Sequence, residues 1–425
     1  AMLPPTPMTL SEKIIARAAG KNSVKPGGIV TCAVDLAMMH DSGGPRRVKP
    51  MLERLGAQVW DPEKVVVVSD HFVPAVDVDS AQILDLTRKW ARETQVRRFF
   101  DMKGICHVVL PENGLIQPGM MAVGGDSHSC TGGAWGAVMV GVGATDMLGV
   151  LVTGEIWLRV PSTVRFTCQG SLPPGVSAKD IMLHLCATVD PVSMNYRVAE
   201  YAGPAVEAME MSERMTLCNM SAELGAKTGI TAPDATTHDW LAQVGAGVGD
   251  LEVLGDPGAE IEREVVIDTP ALAPQVAAPH SPANTHAVTD SLGTRVTQAY
   301  IGACTGAKLN DLHMAAQVLK GRRVADDVRL LLAPASTKIT AEAARDGTLE
   351  ILTEAGAILL PSGCGACAGM GAGILADGEV CIASTSRNFQ GRMGSSKAEV
   401  WLASPYTVAA AAVTGAIADP REMLA

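Results

Sequence analysis

Aromatic residues are scarce in this sequence: Phe, Trp and Tyr together make up 4% of 425 residues, whereas glycine occurs 43 times and methionine 20 times. Small and flexible side chains must therefore fill much of the interior. The chain is nevertheless 47% hydrophobic. It is long enough to bury a large core and to form two or three domains.

The sequence also lacks a basic tract, a membrane-length apolar run and a dense cysteine framework. The net charge of −11 disfavours a nucleic-acid-binding protein. The most apolar stretch, Thr131–Gly154, is interrupted by Asp146, so we expect no membrane span and predict a buried helix there. Ten cysteines in a chain of this length, with no opening signal segment, favour a reducing, cytoplasmic location.

Two of those cysteines, Cys364 and Cys367, are three positions apart in a loop that contains Gly363, Gly365 and Gly369. Glycine lets a backbone approach a ligand closely, as a loop around a metal centre must. Cys304 lies in a second loop of small residues and supplies a third thiol. Three cysteines without an evident fourth indicate a [4Fe–4S] cluster with one open iron, which is free to act as a Lewis acid.

Other interpretations of these cysteines stay open at this point. A single CxxC pair also occurs in structural zinc sites and in dithiol redox proteins, although no second ligand pair for zinc lies nearby. An electron carrier would ordinarily use four protein thiolates for its cluster.

Polar residues follow several strand-like runs in the first part of the chain. The buried-type run Lys64–Ser69 is followed by Asp70 and His71. The run Met120–Val123 is followed by Asp126, Ser127 and His128, which we interpret as contacts to substrate or hydroxide. A third strand-like run, Ile105–Pro111, carries Cys106 and His107. Open α/β sheets bind ligands at the carboxyl ends of their strands, although a solvated turn explains Asp70 and His71 equally well.

The second region contains fewer signals. Ser177 and Asp180 resemble a capping box that begins a helix. Glu223 is an isolated carboxylate, and a helix-surface position is the default interpretation for it. The proline-containing segment Thr269–Ala287 is predicted to be an extended linker.

After the linker the pattern is βαβ. Cys304 follows the predicted strand Gln298–Ile301, and Cys364 and Cys367 follow the predicted strand Ala357–Leu360. Arg387 and Arg392 follow a third predicted strand, Glu379–Ala383. Because the carboxyl ends of parallel strands meet at one edge of a sheet, we expect these residues to converge on a single site. We predict three α/β domains, over residues 1–160, 161–285 and 286–425.

Seven motifs in order make this sequence similar to the aconitase superfamily, and within it to the two-subunit hydro-lyases related to 3-isopropylmalate dehydratase. The motifs span almost the whole chain: Ser69-Asp70-His71, Ile105-Cys106-His107, Gly125-Asp126-Ser127-His128, Ala222-Glu223-Leu224-Gly225, Gly302-Ala303-Cys304-Thr305, Pro361-Ser362-Gly363-Cys364-Gly365-Ala366-Cys367 and Arg387-Asn388-Phe389-Gln390-Gly391-Arg392.

The resemblance implies a role for each matched residue. Cys304, Cys364 and Cys367 would bind a [4Fe–4S] cluster whose open iron takes the substrate hydroxyl and a carboxylate. The catalytic residues would be Asp70, His71, His107, Asp126, His128 and Glu223. Ser127, Arg387 and Arg392 would bind a small 2-hydroxy dicarboxylic acid, because guanidinium groups suit carboxylates. The implied reaction is reversible elimination and addition of water.

The resemblance also implies a partner. Full-length aconitases carry a fourth, swivelling domain, which in two-subunit relatives is a separate small subunit. We expect this chain to lack that domain and to require such a subunit. An RNA-binding regulator, as some aconitase relatives are, is the competing class.

Two departures from the family pattern affect the substrate prediction. Gly306 and Ser386 stand where relatives commonly have asparagine. A dimethylmalate or methylmalate hydratase and a homoaconitase therefore compete with 3-isopropylmalate dehydratase.

Overall fold

The computed structural model describes residues 4–424, whose strands form four sheets. The strands of the N-terminal part are β1 (Ile29–Ala33), β2 (Leu36–His40), β3 (Val65–Ser69), β4 (Arg98–Asp101), β5 (Met121–Gly124), β6 (Val138–Gly141) and β7 (Glu155–Arg159). Its helices are α1 (Leu10–Ala18), α2 (Pro45–Leu55), α3 (Val78–Glu93), α4 (Cys106–Glu112) and α5 (Ala144–Thr153). Five strands form a parallel sheet in the order β4-β3-β2-β5-β6, and β1 pairs with β7 in an antiparallel ribbon.

The middle part forms a second parallel sheet. Its strands are β8 (Thr163–Gln169), β9 (Val198–Ala202), β10 (Thr228–Thr231) and β11 (Arg263–Asp268), in the order β10-β9-β8-β11. Its helices are α6 (Ala178–Thr188), α7 (Pro191–Met194), α8 (Pro204–Glu207), α9 (Met211–Asn219) and α10 (Ala235–Gln243). Asp180 accepts a hydrogen bond from the backbone N–H of Ser177 at 2.8 Å, so the predicted capping box is confirmed.

The C-terminal part contains a seven-stranded sheet. Its strands are β12 (Gln275–Ala277), β13 (Thr285–Ala287), β14 (Gln298–Ile301), β15 (Arg329–Leu332), β16 (Ile358–Leu359), β17 (Val380–Ala383) and β18 (Glu399–Ala403). Its helices are α11 (Leu309–Leu319), α12 (Thr337–Arg345), α13 (Thr348–Ala355) and α14 (Pro405–Thr414). The order is β13-β12-β18-β17-β14-β15-β16. Strand β12 pairs antiparallel with both β13 and β18, and the other pairings are parallel.

The sequence explains why the central strands are parallel. Every residue of β2 and β3 is buried, because helices cover both faces of the sheet. Such strands consist of consecutive apolar residues rather than alternating ones. One apolar core extends from Val66 in β3 through Phe166 in β8 to Ile382 in β17, so the three larger sheets pack into one continuous structure.

Three local predictions were wrong. Residues 106–112 form helix α4 and not a strand, because a short, fully buried apolar run does not distinguish the two by periodicity. The predicted helix over Thr131–Gly154 is a 3₁₀ segment, strand β6 and helix α5. The predicted linker contains strands β12 and β13, which join the third sheet. The division into domains at residues 160 and 285 stays a prediction.

None of the helices within residues 4–424 combines the length and the apolar character that crossing a membrane requires.

Candidate active site and metal centre

Three loops deliver the predicted cysteines and arginines to one edge of the C-terminal sheet. Cys304 follows β14, Cys364 and Cys367 follow β16, and Arg387 follows β17. Strands β17, β14, β15 and β16 are successive parallel neighbours, so their carboxyl ends lie at the same edge. Ala303, just before Cys304, adopts a φ of +70°, which is uncommon for a residue other than glycine and signals a backbone held by its surroundings.

The thiols of this site are buried at Cys304 and partly buried at Cys364 and Cys367. Asn219 donates a hydrogen bond from Nδ2 to Cys304 Sγ at 3.0 Å. Burial, followed by the nearby Cys367 thiol, raises the pKa of Cys304 to about 12. Burial also raises the pKa values of Cys364 and Cys367, against the positive charge of Arg392 in the case of Cys367. A metal that binds these sulfurs must therefore displace their protons, as thiolate ligation requires.

The spacing of the thiols fits a multinuclear group better than a single zinc ion. Among residues 4–424, one set of His, Cys, Asp and Glu side chains has three or more ligand atoms all within 4.8 Å of one another, and it contains none of the three cysteines. Sulfurs on one tetrahedral zinc ion, with bonds of about 2.3 Å, would lie roughly 3.8 Å apart. At least one pair of the three thiols is therefore more than 4.8 Å apart, which suits a group larger than one metal ion.

Asp70 connects the cysteine loops to the N-terminal sheet. Its carbonyl accepts from the N–H of Cys364 at 2.8 Å, and Cys364 Sγ lies 3.9 Å from its carboxylate. The same carboxylate accepts from the backbone N–H of Cys106 at 2.8 Å. Cys106 thus adds a fourth thiol to the neighbourhood, and burial followed by the charge of Asp70 raises its pKa.

Asp70 and His71 form a buried ion pair. His71 Nδ1 lies 2.6 Å from Asp70 Oδ1. Burial opposes the charge on both groups, but their mutual attraction outweighs it. The pKa of Asp70 is lowered to about 2 and that of His71 is raised to about 9. At neutral pH His71 is therefore an imidazolium that can donate a proton.

His40 and Asp41 complete the close set of ligand-type side chains, and sequence analysis missed both. Asp41 accepts hydrogen bonds from the backbone N–H groups of Asp70, His71 and Phe72, and so fixes the loop after β3. The His40 ring stacks on the His71 ring with centroids 4.0 Å apart. The sequence pattern that could have identified them is a polar pair at the end of a buried apolar strand. That strand, β2, was not predicted.

A second set of carboxylate–histidine contacts surrounds Asp126. Its carboxylate lies 2.7 Å from His107 Nε2 and 3.2 Å from His40 Nε2. His40 Nδ1 accepts from the N–H groups of Ser42 and Gly43, so Nε2 carries the proton that is donated to Asp126. Burial raises the pKa of Asp126, but the two histidines outweigh it and hold that pKa well below its usual range.

Glu223 joins the middle part of the chain to the site. His128 Nε2 lies 2.6 Å from its Oε1, and Arg387 donates from Nε at 3.0 Å. Burial disfavours the charged form, but these two partners lower the pKa of Glu223. The side chain is only 4% exposed, so the default interpretation of a helix-surface glutamate was wrong.

The remaining predicted residues lie in the same loops. Ser127 is exposed between Asp126 and His128. Ser386 Oγ is 3.4 Å from His128 Nε2. Arg392 keeps a buried Nε that has no hydrogen-bond partner among residues 4–424. A buried guanidinium N–H without a partner is available to an anionic ligand.

The fold and this site define an α/β protein in which one buried and two partly buried cysteines lie beside carboxylate–histidine pairs. A family model described as aconitase family (aconitate hydratase) matches residues 12–294 and 289–415. The chain belongs to the aconitase family, as the seven motifs predicted, and its aconitase-like α/β fold is confirmed. Proteins of this family bind a [4Fe–4S] cluster.

Curated relatives match along their whole length. A protein of Methanopyrus kandleri named 3-isopropylmalate dehydratase large subunit 1 is 46% identical over 98% of this chain and 99% of its own. A 3-isopropylmalate dehydratase large subunit of Nitratidesulfovibrio vulgaris is 43% identical, again over 98% and 99%. A probable methanogen homoaconitase large subunit of Methanothermobacter thermautotrophicus is 43% identical over 98% of each chain.

These names confirm the predicted class of enzyme, a hydro-lyase. The words "large subunit" in them imply a small-subunit partner.

Proposed function

We propose that this chain is the large subunit of a two-subunit hydro-lyase of the 3-isopropylmalate dehydratase type. It would catalyse reversible removal and addition of water on a small 2-hydroxy dicarboxylic acid. The observation that carries the proposal is the contact between the cysteine site and the Asp70–His71 pair: Cys364 Sγ lies 3.9 Å from the Asp70 carboxylate, which is itself 2.6 Å from His71 Nδ1. The names of relatives at 40–46% identity support the reaction class.

Cys304, Cys364 and Cys367 would hold a [4Fe–4S] cluster with one iron free of protein ligands. When bound, such a cluster supplies a Lewis acid for the substrate hydroxyl and a neighbouring carboxylate. The donor set fits, since Cys304 is buried, Cys364 and Cys367 are partly buried, and cationic side chains accompany Cys304 and Cys367.

Protons at the leaving group would be handled by the histidines. His71, an imidazolium at neutral pH, would donate to the departing hydroxide and be restored by solvent, while Asp70 keeps it oriented. Asp126 and Glu223 are held ionised by their partners. They would orient His107 and His128 toward the departing water.

The substrate carboxylates would be bound by arginine. Arg387 uses Nε for Glu223, and no hydrogen bond within residues 4–424 involves its two terminal NH₂ groups. Those groups and Arg392 would grip the dicarboxylate, with Ser127 adding a hydroxyl.

The base that removes the carbon-bound proton must act on the face opposite the leaving group. We place it on the small subunit, in the swivelling domain that the resemblance implies. The same cap would exclude water from the site.

The substrate within this class is proposed as 3-isopropylmalate. A relative named as a methanogen homoaconitase large subunit is as similar as several named isopropylmalate dehydratases. Homoaconitate chemistry is therefore the second candidate.

The test is anaerobic reconstitution followed by iron analysis. Wild-type protein should take up about four irons per chain. Cys367→Ser should abolish the cluster absorbance. The matched control is Cys106→Ser, which removes the neighbouring buried thiol and should leave the iron content unchanged.

Two results would overturn the centre as proposed. Stoichiometric zinc without iron in the wild-type chain would indicate a structural metal site. Loss of iron in Cys106→Ser as well would indicate four protein ligands and no open iron.

A further inference from the structure

Lys179 is a buried lysine whose surroundings are unusual. It is the second residue of helix α6 and is 1% exposed. Its Nζ contacts the C-terminal part of the chain. It donates to the carbonyls of Ser384 at 2.8 Å and Thr385 at 2.5 Å, and to Thr305 Oγ1 at 3.3 Å. It thus contacts both the loop that follows Cys304 and the loop that leads to Ser386 and Arg387.

The direct contacts of Lys179 compensate its charge poorly. No carboxylate forms an ion pair with Lys179 anywhere in residues 4–424, and its Nζ directly contacts only neutral oxygens. The charge of Asp311 acts on it without direct contact, but Asp311 is already paired with Lys308. A buried charge without an opposite charge is costly. A cation in the first turn of a helix is also disfavoured by the helix dipole. Lys308, which is equally buried, has Asp311 at 2.9 Å.

Thiolates of the cysteine site could supply the negative charge that compensates the Lys179 ammonium. The positive charge of Lys179 lowers the pKa of the Cys367 thiol against the effect of burial. Burial lowers the pKa of Lys179 itself to about 8, so the ammonium form predominates at neutral pH. Thiolates bound to a metal cluster would supply a permanent anionic neighbour.

We infer that Lys179 is a positioning residue for the reaction: its ammonium fixes the loop that bears Ser386 and Arg387 and offsets the negative charge of the cysteine-bound centre. It does not touch the substrate and is not a catalytic residue. The inference rests on the proposed function for the centre, whereas the fixing of the loop is a property of the chain alone.

The first measurement therefore needs no iron. Hydrogen exchange of the apo chain should show faster exchange in residues 384–392 for Lys179→Met than for the wild-type chain, because the two carbonyls lose their donor. The matched control is Arg214→Met, which removes another cation of 1% exposure that pairs with Asp234 elsewhere. It should leave exchange in residues 384–392 unchanged.

The second measurement uses the reconstituted protein with its small subunit. Lys179→Met should bind the same iron as wild type, but the midpoint potential of its centre should become more negative because a nearby positive charge is lost. The KM for substrate should rise about tenfold as Arg387 loses its fixed position. Lys179→Arg, which keeps the charge, should retain the wild-type potential. Lys179→Gln, which loses it, should shift the potential as Lys179→Met does.

Several outcomes would overturn this inference. One is that Lys179→Met or Lys179→Gln shows the same hydrogen exchange, midpoint potential and KM as the wild-type protein. Another is loss of the apo fold in all three variants, which would make Lys179 a folding residue. If wild-type protein holds no iron, the proposed function fails, while the exchange experiment still decides whether Lys179 fixes the loop.

Discussion

The proposed function gives Arg387 a second task beside its contact with Glu223, and only a guanidinium could perform both. Its Nε donates to Glu223, which in turn holds His128, while the rest of the fork is free for a substrate carboxylate. Lysine would keep the charge but would offer a single nitrogen for both tasks.

Arg387→Lys should therefore keep the fold and the cluster but impair turnover. The loss of one bidentate, charge-assisted contact should cost about 2–4 kcal/mol of transition-state stabilisation, a fall of roughly 30- to 1,000-fold in kcat/KM. Steady-state kinetics at matched iron content would measure it. The control is Arg54→Lys on exposed helix α2. Unchanged kinetics in Arg387→Lys would show that Arg387 is structural.

Gly306, one of the departures from the family pattern, has a structural explanation. A Cβ at this position would lie 2.0 Å from Ser384 Oγ, whose single proton is shared between the carbonyls of Gly302 and Gly306. Ser384 thus occupies the space that a larger residue at position 306 would need. The two loops beside the cysteine site are locked together by this hydroxyl.

At the scale of elements, helix α4 joins the N-terminal and C-terminal parts of the chain. Its last residue, Glu112, accepts a hydrogen bond from Ser336 Oγ at 2.5 Å, and Ser336 is the N-cap of helix α12. Burial raises the pKa of Glu112 to about 7. The C-terminal end of a helix also disfavours a negative charge.

The stability of the protein should therefore depend on the ionisation of Glu112. Its folded-state pKa lies above the unfolded value of 4.5, so the folded chain binds the extra proton between these two values. The free energy of unfolding therefore falls as pH rises through this window, and Glu112 causes no further decrease once the pH is above 7. Glu112→Gln should stabilise the protein at pH 8 by roughly 1–3 kcal/mol, allowing for partial exposure, and by almost nothing near pH 4.

Denaturant unfolding at the two pH values would measure this difference. The control is Glu354→Gln on exposed helix α13. A stabilisation of the same size at both pH values would show that the charge of Glu112 is not the cause.

Helix α4 also shows where sequence reasoning stops. The strands β3, β14 and β17 were predictable because consecutive apolar residues ended in polar or small-residue loops. The run Cys106–Pro111 is equally apolar, and its helical form depends on Asp70 and Ala335, which receive the N–H groups of Cys106 and Ile105. Those partners come from distant parts of the chain, so no local pattern reveals them.

The site shows the same limit. The residues that follow predicted strands, such as Asp70 and Cys304, could be placed at a sheet edge from sequence. Glu223 could not, since it approaches His128 only because the middle sheet packs against the N-terminal one. The resemblance to a family supplied what local physics left open.

At the scale of the whole molecule, the large chain should be inactive alone. Reconstituted chain with a full cluster should show no measurable turnover on malate-derived acids, because the base for the opposite face is proposed to lie on the small subunit. Addition of the small subunit should restore turnover, and substrate should tighten the association of the two subunits by linkage. Assays at matched iron content, with and without the partner, would measure both effects.

A panel of 3-isopropylmalate, homoaconitate-type and dimethylmalate-type acids would decide the substrate in the same assay. Full activity of the isolated chain would place the base within this sequence.

The path of the chain between Cys304 and Cys364 has a thermodynamic consequence. These residues are sixty positions apart, and helices α11, α12 and α13 with strands β15 and β16 lie between them. A group bonded to both ends would close this stretch into a ring. In the chain-entropy description, closing a ring of this size lowers the conformational entropy of the unfolded state, which raises its free energy by about 4 kcal/mol. Loss of iron would then open this ring and increase the conformational entropy of the unfolded chain. Oxidative loss of the centre should therefore also destabilise the fold and make the chain more sensitive to proteolysis.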